Sequence, residues 1–289
     1  MNPATTIALL SKKDGLSTRL FSKYWRDVHG VLAARIPGFE SYVQYHLGTA
    51  IRGLPLPSHI SRSIPVTARF HGIAEVTFAN AQARAGLASS EAAAHIQADE
   101  CNVFKTSLLY NLEPGASRTY LDSPSDVDAS YFILLGKRPG SSGNELATML
   151  EPLLIALSTQ AHISRLKVHN LGSGDPSLWD TEGVDNHQTP ATTFDVVLQV
   201  SGRKVHDTLL SIRDALELAP PGVLEDIGKL QLYPVAATHA MVLQGLPTQL
   251  GLRGLDALRT IHAAGAVNQL SEAVTHCIYG VSPSVMATS

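Results

Sequence analysis

A chain of 289 residues with 44% hydrophobic and 16% charged side chains holds enough apolar material for a sizeable core, and its length points to two domains. A formal net charge of −3 leaves no electrostatic footprint for nucleic acid, and two cysteines, Cys101 and Cys277, are too few for a disulfide framework, so a reducing compartment is the default. No stretch reaches the roughly 18 consecutive apolar residues of a membrane span, and the opening MNPATTIALLSKKDGLS lacks the basic start, apolar run and cleavage site of a signal peptide; a cytoplasmic protein with no membrane partner is expected.

In chain order, Ile7 to Leu10 reads as a strand ended by the turn residues Asp14 and Gly15. Ser17 offers an N-cap oxygen to a helix over Thr18 to Arg35, in which Phe21, Tyr24, Trp25, Val28, Leu32 and Ile36 recur at helical spacing. Pro37-Gly38 stops it, and Phe39 to Leu47 follows as a second strand. Three prolines make 51–65 a long loop. A third strand runs from Thr67 to Phe78, an alanine-rich helix from Ala81 to Phe104, and a fourth strand from Ser107 to Leu112. The order β-α-β-β-α-β is ferredoxin-like.

The same order can be read again. Strands are expected at Tyr131 to Leu135, Ile163 to Asn170, Phe194 to Val200 and Lys229 to Leu243, with a polar loop over Gly172 to Ala191. Helices are expected at Asn144 to Ser158, bent at Pro152, and at Val205 to Leu216. QYHLG at 44–48 and VHNLG at 168–172 fall at equivalent places, which suggests duplication and sets His169 opposite His46. The expected division is 1–122, 123–245 and a helical extension, 246–289, with helices at Leu252 to Ile261 and Ala266 to Val274. The extension could close a pocket, cover a sheet edge or reach a partner.

The stretch GLSTRLFSKYWRDVHGVLAARIPGFESYVQYHLG, residues 15–48, resembles the opening of EthD-like domains of the dimeric α+β barrel superfamily. The resemblance rests on Gly-Leu-Ser before the helix, Phe21, Tyr24-Trp25 with His29 four residues on, Pro37-Gly38, and Tyr42 with His46. HGIAEVTF at 71–78 is similar to a second family stretch, with His71 where an aspartate is usual, and Asp99-Glu100 before Phe104 suits the end of the family's second helix. The resemblance covers about residues 5–112. It implies two four-stranded sheets packed face to face with helices outside, a barrel that most members complete by dimerising and tandem members complete within one chain. The fold class expected here is therefore α+β: two tandem ferredoxin-like domains forming such a barrel, plus a helical tail. Related families include isomerases, polyketide cyclases, cofactor-independent monooxygenases, decarboxylases and haem enzymes, so the fold alone selects no reaction.

His29 leads the candidate residues. On an ideal helix it lies about 40° from Trp25, on the flank of the apolar stripe, where a neutral imidazole could act as a general base. His46 shares a strand face with Tyr42 and Gln44, and His71 shares one with Glu75, a spacing that could set a carboxylate beside an imidazole. His29, His46, His71 and Glu75 are thus the catalytic candidates, with Trp25 and Tyr42 as substrate walls. The second helix copy has Met149, Leu150 and Leu153 instead of Tyr-Trp and histidine, so one working pocket is expected, within residues 1–120.

No CxxC, HExxH, P-loop or GxGxxG occurs, so no metal and no cofactor are expected. The reading that follows is a cofactor-independent acid–base enzyme, a cyclase, dehydratase, isomerase or decarboxylase, acting on a small aromatic or polyketide-like molecule. Its alternatives are a haem enzyme of the same superfamily and a non-catalytic binding protein. The expected partners are a small-molecule substrate and, in a homodimer, a second copy of the chain.

Overall fold

The structure is a computed structural model that describes residues 3–61, 63–65, 68–123, 129–141, 146–172, 179–220 and 222–284. The expected strand start at Thr67, the helix start at Asn144 and positions 173–178 of the expected loop lie outside the described residues.

The first half contains β1 (Ala4–Lys12), α1 (Thr18–Tyr24), one π-helical turn (Trp25–His29), α2 (Gly30–Ala33), β2 (Phe39–Leu47), β3 (Gly72–Phe78), α3 (Ala81–Ala85), α4 (Glu91–Val103) and β4 (Phe104–Asn111). Ser17 caps α1 as its sequence position suggests, its Oγ accepting from the Leu20 N–H at 3.1 Å. The alanine-rich helix expected over 81–104 is two helices. Asn80 caps α3, Gly86 ends it, a 3₁₀ turn spans Leu87–Ser89, and the Ser90 hydroxyl caps α4 through the Ala93 N–H. Local side-chain caps outcompete the uninterrupted helix that alanine content favours.

The second half contains β5 (Ser117–Asp122), β6 (Ala129–Lys137), α5 (Leu146–Met149), α6 (Glu151–Ser158), β7 (Arg165–Asn170), β8 (Val196–Gly202), α7 (Val205–Glu217) and β9 (Ile227–Leu243). Pro152 does not bend a helix. It sits in the first turn of α6, where an amide would have no intrahelical partner, so it starts the helix. β5 is a strand that sequence reading misses. Then come β10 (Leu246–Pro247), α8 (Gln249–Arg253), α9 (Leu255–Ala263) and α10 (Glu272–Tyr279).

Hydrogen bonding orders the strands β4-β1-β3-β2-β9-β6-β8-β7-β5. β9 is the seam: its first half pairs with β6 and its second half with β2. The path ends, β4 and β5, are joined by five residues, 112–116, which span at most roughly 18 Å. The sheet must therefore curl until its ends meet, and backbone bonds from Ser107 N to Asp185 O and from Asn170 N to Ala116 O tie the closure. Paired contacts report the duplication. The Tyr110 hydroxyl accepts from Phe194 N, and the Tyr233 hydroxyl accepts from Phe70 N.

Three apolar clusters follow. One lies between the first-half helices and sheet around Phe21, Trp25 and Phe104. A second fills the equivalent layer of the second half, with Leu150, Leu153, Leu154 and Leu157 from α6 and its approach, and Leu54, Leu56 and Ile60 from the long loop. The third, including Ile7, Leu9, Phe132, Leu134, Tyr110 and Tyr233, draws on both halves and fills the barrel between the sheets.

Among the described residues the tail packs on the outside of the first half. The Asp27 carboxylate accepts the first free amide of α9, Leu255 N, at 2.7 Å, and Lys23 pairs with Asp256, so the tail is bolted to the outside of the first helix. Among the described residues no helix is long and apolar enough to cross a membrane.

Candidate active site

The site begins with the π-helical turn. Its extra residue carries the Gly30 N–H to the Trp25 carbonyl and places Trp25 and His29 together on the buried side. A Cβ on Gly72 would lie 2.4 Å from the Trp25 ring, so only glycine lets the indole pack this close to β3. A Cβ on Gly30 would meet Gln44 Nε2 at 2.4 Å, so the helix likewise sits on β2.

Between this helix and the sheet lies a cavity of about 350 Å³, within the size range of small-molecule sites. Its floor is a grid of cross-strand neighbours: Thr6 with Asn111 and Val76, Ala8 with Leu109 and Ala74, Leu10 with Ser107 and Gly72. The central pair Ala8 and Ala74 leaves the space that larger side chains would fill. α3 and the 3₁₀ turn form a thin roof with Ala81, Ala85, Leu87 and Ala88. Trp25, Tyr42, Phe104 and Trp179 are aromatic walls.

His29 stands at the end beyond Leu10 and Ser107, its ring 5.1 Å from Phe104 and edge-on to it. It is 5% exposed, and its Nδ1 lies 3.0 Å from Asp99 Oδ2. Asp99 also receives the Tyr24 hydroxyl at 2.6 Å and the Asn102 amide at 3.2 Å. Burial opposes ionisation of Asp99, but these bonds from His29, Tyr24 and Asn102 override it and hold the carboxyl at about 2. Asp99 is then an acceptor only, so His29 Nδ1 is the nitrogen that donates to it, and Nε2 is the one that carries the lone pair in the neutral ring. Nε2 has no hydrogen-bond partner among the described residues.

Glu100, one residue on, also lines the cavity and is 6% exposed. Its Oε2 accepts from Trp179 Nε1 at 2.9 Å and from the Thr181 hydroxyl at 2.5 Å. Burial raises its pKa, against those two bonds. The cavity thus sets an imidazole, oriented by a carboxylate, in the same wall as a second carboxyl whose pKa burial raises, a pairing that general acid–base chemistry uses.

Of the residues expected from sequence, Trp25, His29 and Tyr42 line this cavity, and His46, His71 and Glu75 do not. His46 stacks on Trp25 at 4.4 Å with both nitrogens engaged. Gln44 Nε2 donates to the Trp25 carbonyl and the Tyr42 hydroxyl, which turns Gln44 Oε1 toward His46 Nε2–H, and the Ser22 hydroxyl donates to His46 Nδ1. Burial, then the charges of His239 and Arg26, hold His46 down at about 3, so it is neutral.

The expected His71–Glu75 pair is not assembled. His71 precedes β3, accepts from Lys12 N and faces Phe21 on the helix side. Glu75 faces the barrel interior, where it meets the Tyr45 hydroxyl, the Lys167 ammonium and, at 4.0 Å, His169. The break in strand regularity before Gly72 defeats the alternation rule. His169 matches Tyr45 and not His46: aligned on their Leu-Gly pairs, Leu47 and Leu171 both enter the barrel core.

Asp99, Glu100 and Trp179 are the site residues missed from sequence. An adjacent acidic pair on an alanine-rich helix was the signal for the first two, because buried carboxylates need partners. Trp179 comes from the second half, so the pocket is not confined to residues 1–120.

Sheet order, barrel closure and a helix–sheet cavity define a tandem dimeric α+β barrel in which both halves come from one chain. Residues 13–107 match the EthD domain family. The fold is shared with a solved anthrone oxidase-like protein, at 12% identity and a TM-score of 0.52 over 83% of this chain and 94% of that one. It is also shared with a structure from Fusobacterium nucleatum subsp. nucleatum assigned as a monooxygenase, at 8% identity and a TM-score of 0.50 over 85% and 97%. No curated protein matches the chain.

Proposed function

We propose that the chain is an acid–base enzyme that moves a proton on a small fused-ring or polyketide-like molecule held in the first-half cavity. The observation that carries this is the Asp99–His29 pair, which leaves an imidazole lone pair at the wall of an aromatic-lined cavity. His29 Nε2 takes a proton from a carbon beside a carbonyl, and the electron pair moves to the carbonyl oxygen. The Glu100 carboxylic acid donates its proton to that oxygen, giving the enol and a Glu100 carboxylate. Trp25, Tyr42 and Trp179 hold the ring system and exclude water. Isomerisation, cyclisation, dehydration or decarboxylation can follow from the enol or its reverse. The anthrone oxidase-like relative in fold makes fused-ring ketones the first substrates to test. The reading expects turnover without added cofactor.

The test is a panel of fused-ring ketones and β-keto acids assayed with wild type and His29→Ala. Turnover by wild type that falls roughly 10²- to 10⁴-fold in a folded His29→Ala is the expected result. A Soret band in the purified protein with turnover that depends on it would replace this reading by the haem alternative.

A further inference from the structure

The cavity is polar at both ends, and the second end has no role in the proton transfer. Arg84, on α3, lines the cavity beside the Thr6–Asn111 rung of the floor. Its Nη1 donates to the Thr5 carbonyl at 3.3 Å and the Leu112 carbonyl at 3.2 Å, which fixes the guanidinium over the ends of β1 and β4. Among the described residues no carboxylate pairs with it. A guanidinium at a cavity wall with Nη1 anchored by two carbonyls, and with no anion of its own, keeps its Nε–Nη2 edge for a planar bidentate anion. Asn111 stands next to it, its Oδ1 already accepting the Thr6 hydroxyl at 2.6 Å, so its amide N–H groups are left as donors.

The distance between the ends follows from the register. Thr6 and Leu10 are four residues apart along β1, so the floor from the Arg84 end to the rung next to His29 is about 14 Å long. Between them the floor is Ala8, Ala74 and Leu109, and the roof is alanine-rich. A long, low, apolar slot with a cation at one end and an imidazole at the other is complementary to a flat molecule of two or three fused rings carrying an acid group.

We propose that the ligand of this cavity is an elongated fused-ring carboxylic acid, with its carboxylate on Arg84 and Asn111 and its reacting end on His29. This deepens the acid–base reading and rests on it only for which end reacts.

The chain has two tryptophans, Trp25 and Trp179, and both line the cavity, so intrinsic fluorescence reports occupancy without any turnover. The probes are anthracene-2-carboxylate and the isosteric, neutral anthracene-2-carboxamide, titrated into wild type, Arg84→Gln, Arg84→Lys and His29→Ala, with calorimetry as a check. Wild type should bind the carboxylate roughly tenfold or more tightly than the carboxamide. Arg84→Gln should lose that preference and still bind the carboxamide as wild type does. Arg84→Lys should keep part of it, and His29→Ala all of it. Equal binding of the two probes by wild type, binding of neither, or a preference that survives in Arg84→Gln would overturn the proposal. Should Arg84→Gln fail to fold, the two-probe comparison on wild type still decides. A retained carboxylate preference with no turnover by any variant would remove the acid–base reading and leave this one standing.

Discussion

At the residue scale the account turns on how one histidine is held at the cavity wall. His46, His71 and His169 each have neighbours that fix or desolvate the ring, whereas His29 has one nitrogen on a carboxylate and one on the cavity side. Asp99→Asn would offer an amide in place of an obligate acceptor and would let His29 reach the wrong tautomer. It should lower kcat by roughly 10²- to 10⁴-fold with KM nearly unchanged, measured by steady-state kinetics on any ketone that wild type turns over. His29 was legible in the sequence, because its position relative to Trp25 survives the π-helical turn. Its carboxylate partner was not, because Asp99 lies 70 residues away and nothing local to either residue states the pairing. His71 and Glu75 failed for a related reason. Period-two alternation holds only inside a regular strand, and the strand begins at Gly72.

At the element scale, small residues set the spacing. Gly72 lies hard against the Trp25 ring, so Gly72→Ala forces the indole off the sheet. The expected cost is about 1–3 kcal/mol, as for other overpacked cores, read from urea denaturation together with a change in tryptophan emission. Ser90→Ala removes the α4 cap and should cost about 1 kcal/mol in the same measurement. Because α4 carries both Asp99 and Glu100, that loss should come with reduced turnover. Most strands and helices were legible from alternation, helical spacing and turn residues. The division of α3 from α4 was hidden by alanine, whose helix preference says nothing about where a cap interrupts. β5 was hidden because Ser117 to Asp122 mixes exposed and half-buried side chains at a sheet end, where pairing with β7 and not burial makes the strand.

At the scale of the whole molecule, duplication completes a barrel within one chain. The first-half layer holds the aromatic-lined cavity, whereas in the equivalent second-half layer leucines of α6 pack against Leu54, Leu56 and Ile60. The cost of the buried histidines is acid sensitivity. Burial holds His46 at about 3 and His239 at about 4, against a usual value near 6.5. Below pH 6.5 the unfolded chain binds protons that the folded chain refuses, so stability is complete above that value and is lost as pH falls toward 4. Denaturation midpoints should be flat above pH 7 and fall between pH 6.5 and 4, and His239→Gln should make the fall shallower.

The central claim is that proton transfer belongs to His29 in the first-half cavity. The most direct measurement is deuterium wash-in from D₂O at the carbon beside the carbonyl of a fused-ring ketone, followed by NMR for wild type, His29→Ala and His169→Ala. It needs no knowledge of the physiological product. The account predicts exchange well above the buffer rate for wild type, a loss of roughly 10²-fold or more in folded His29→Ala, and a change of no more than several-fold in His169→Ala. Exchange that persists in His29→Ala, or that disappears in His169→Ala, would contradict it.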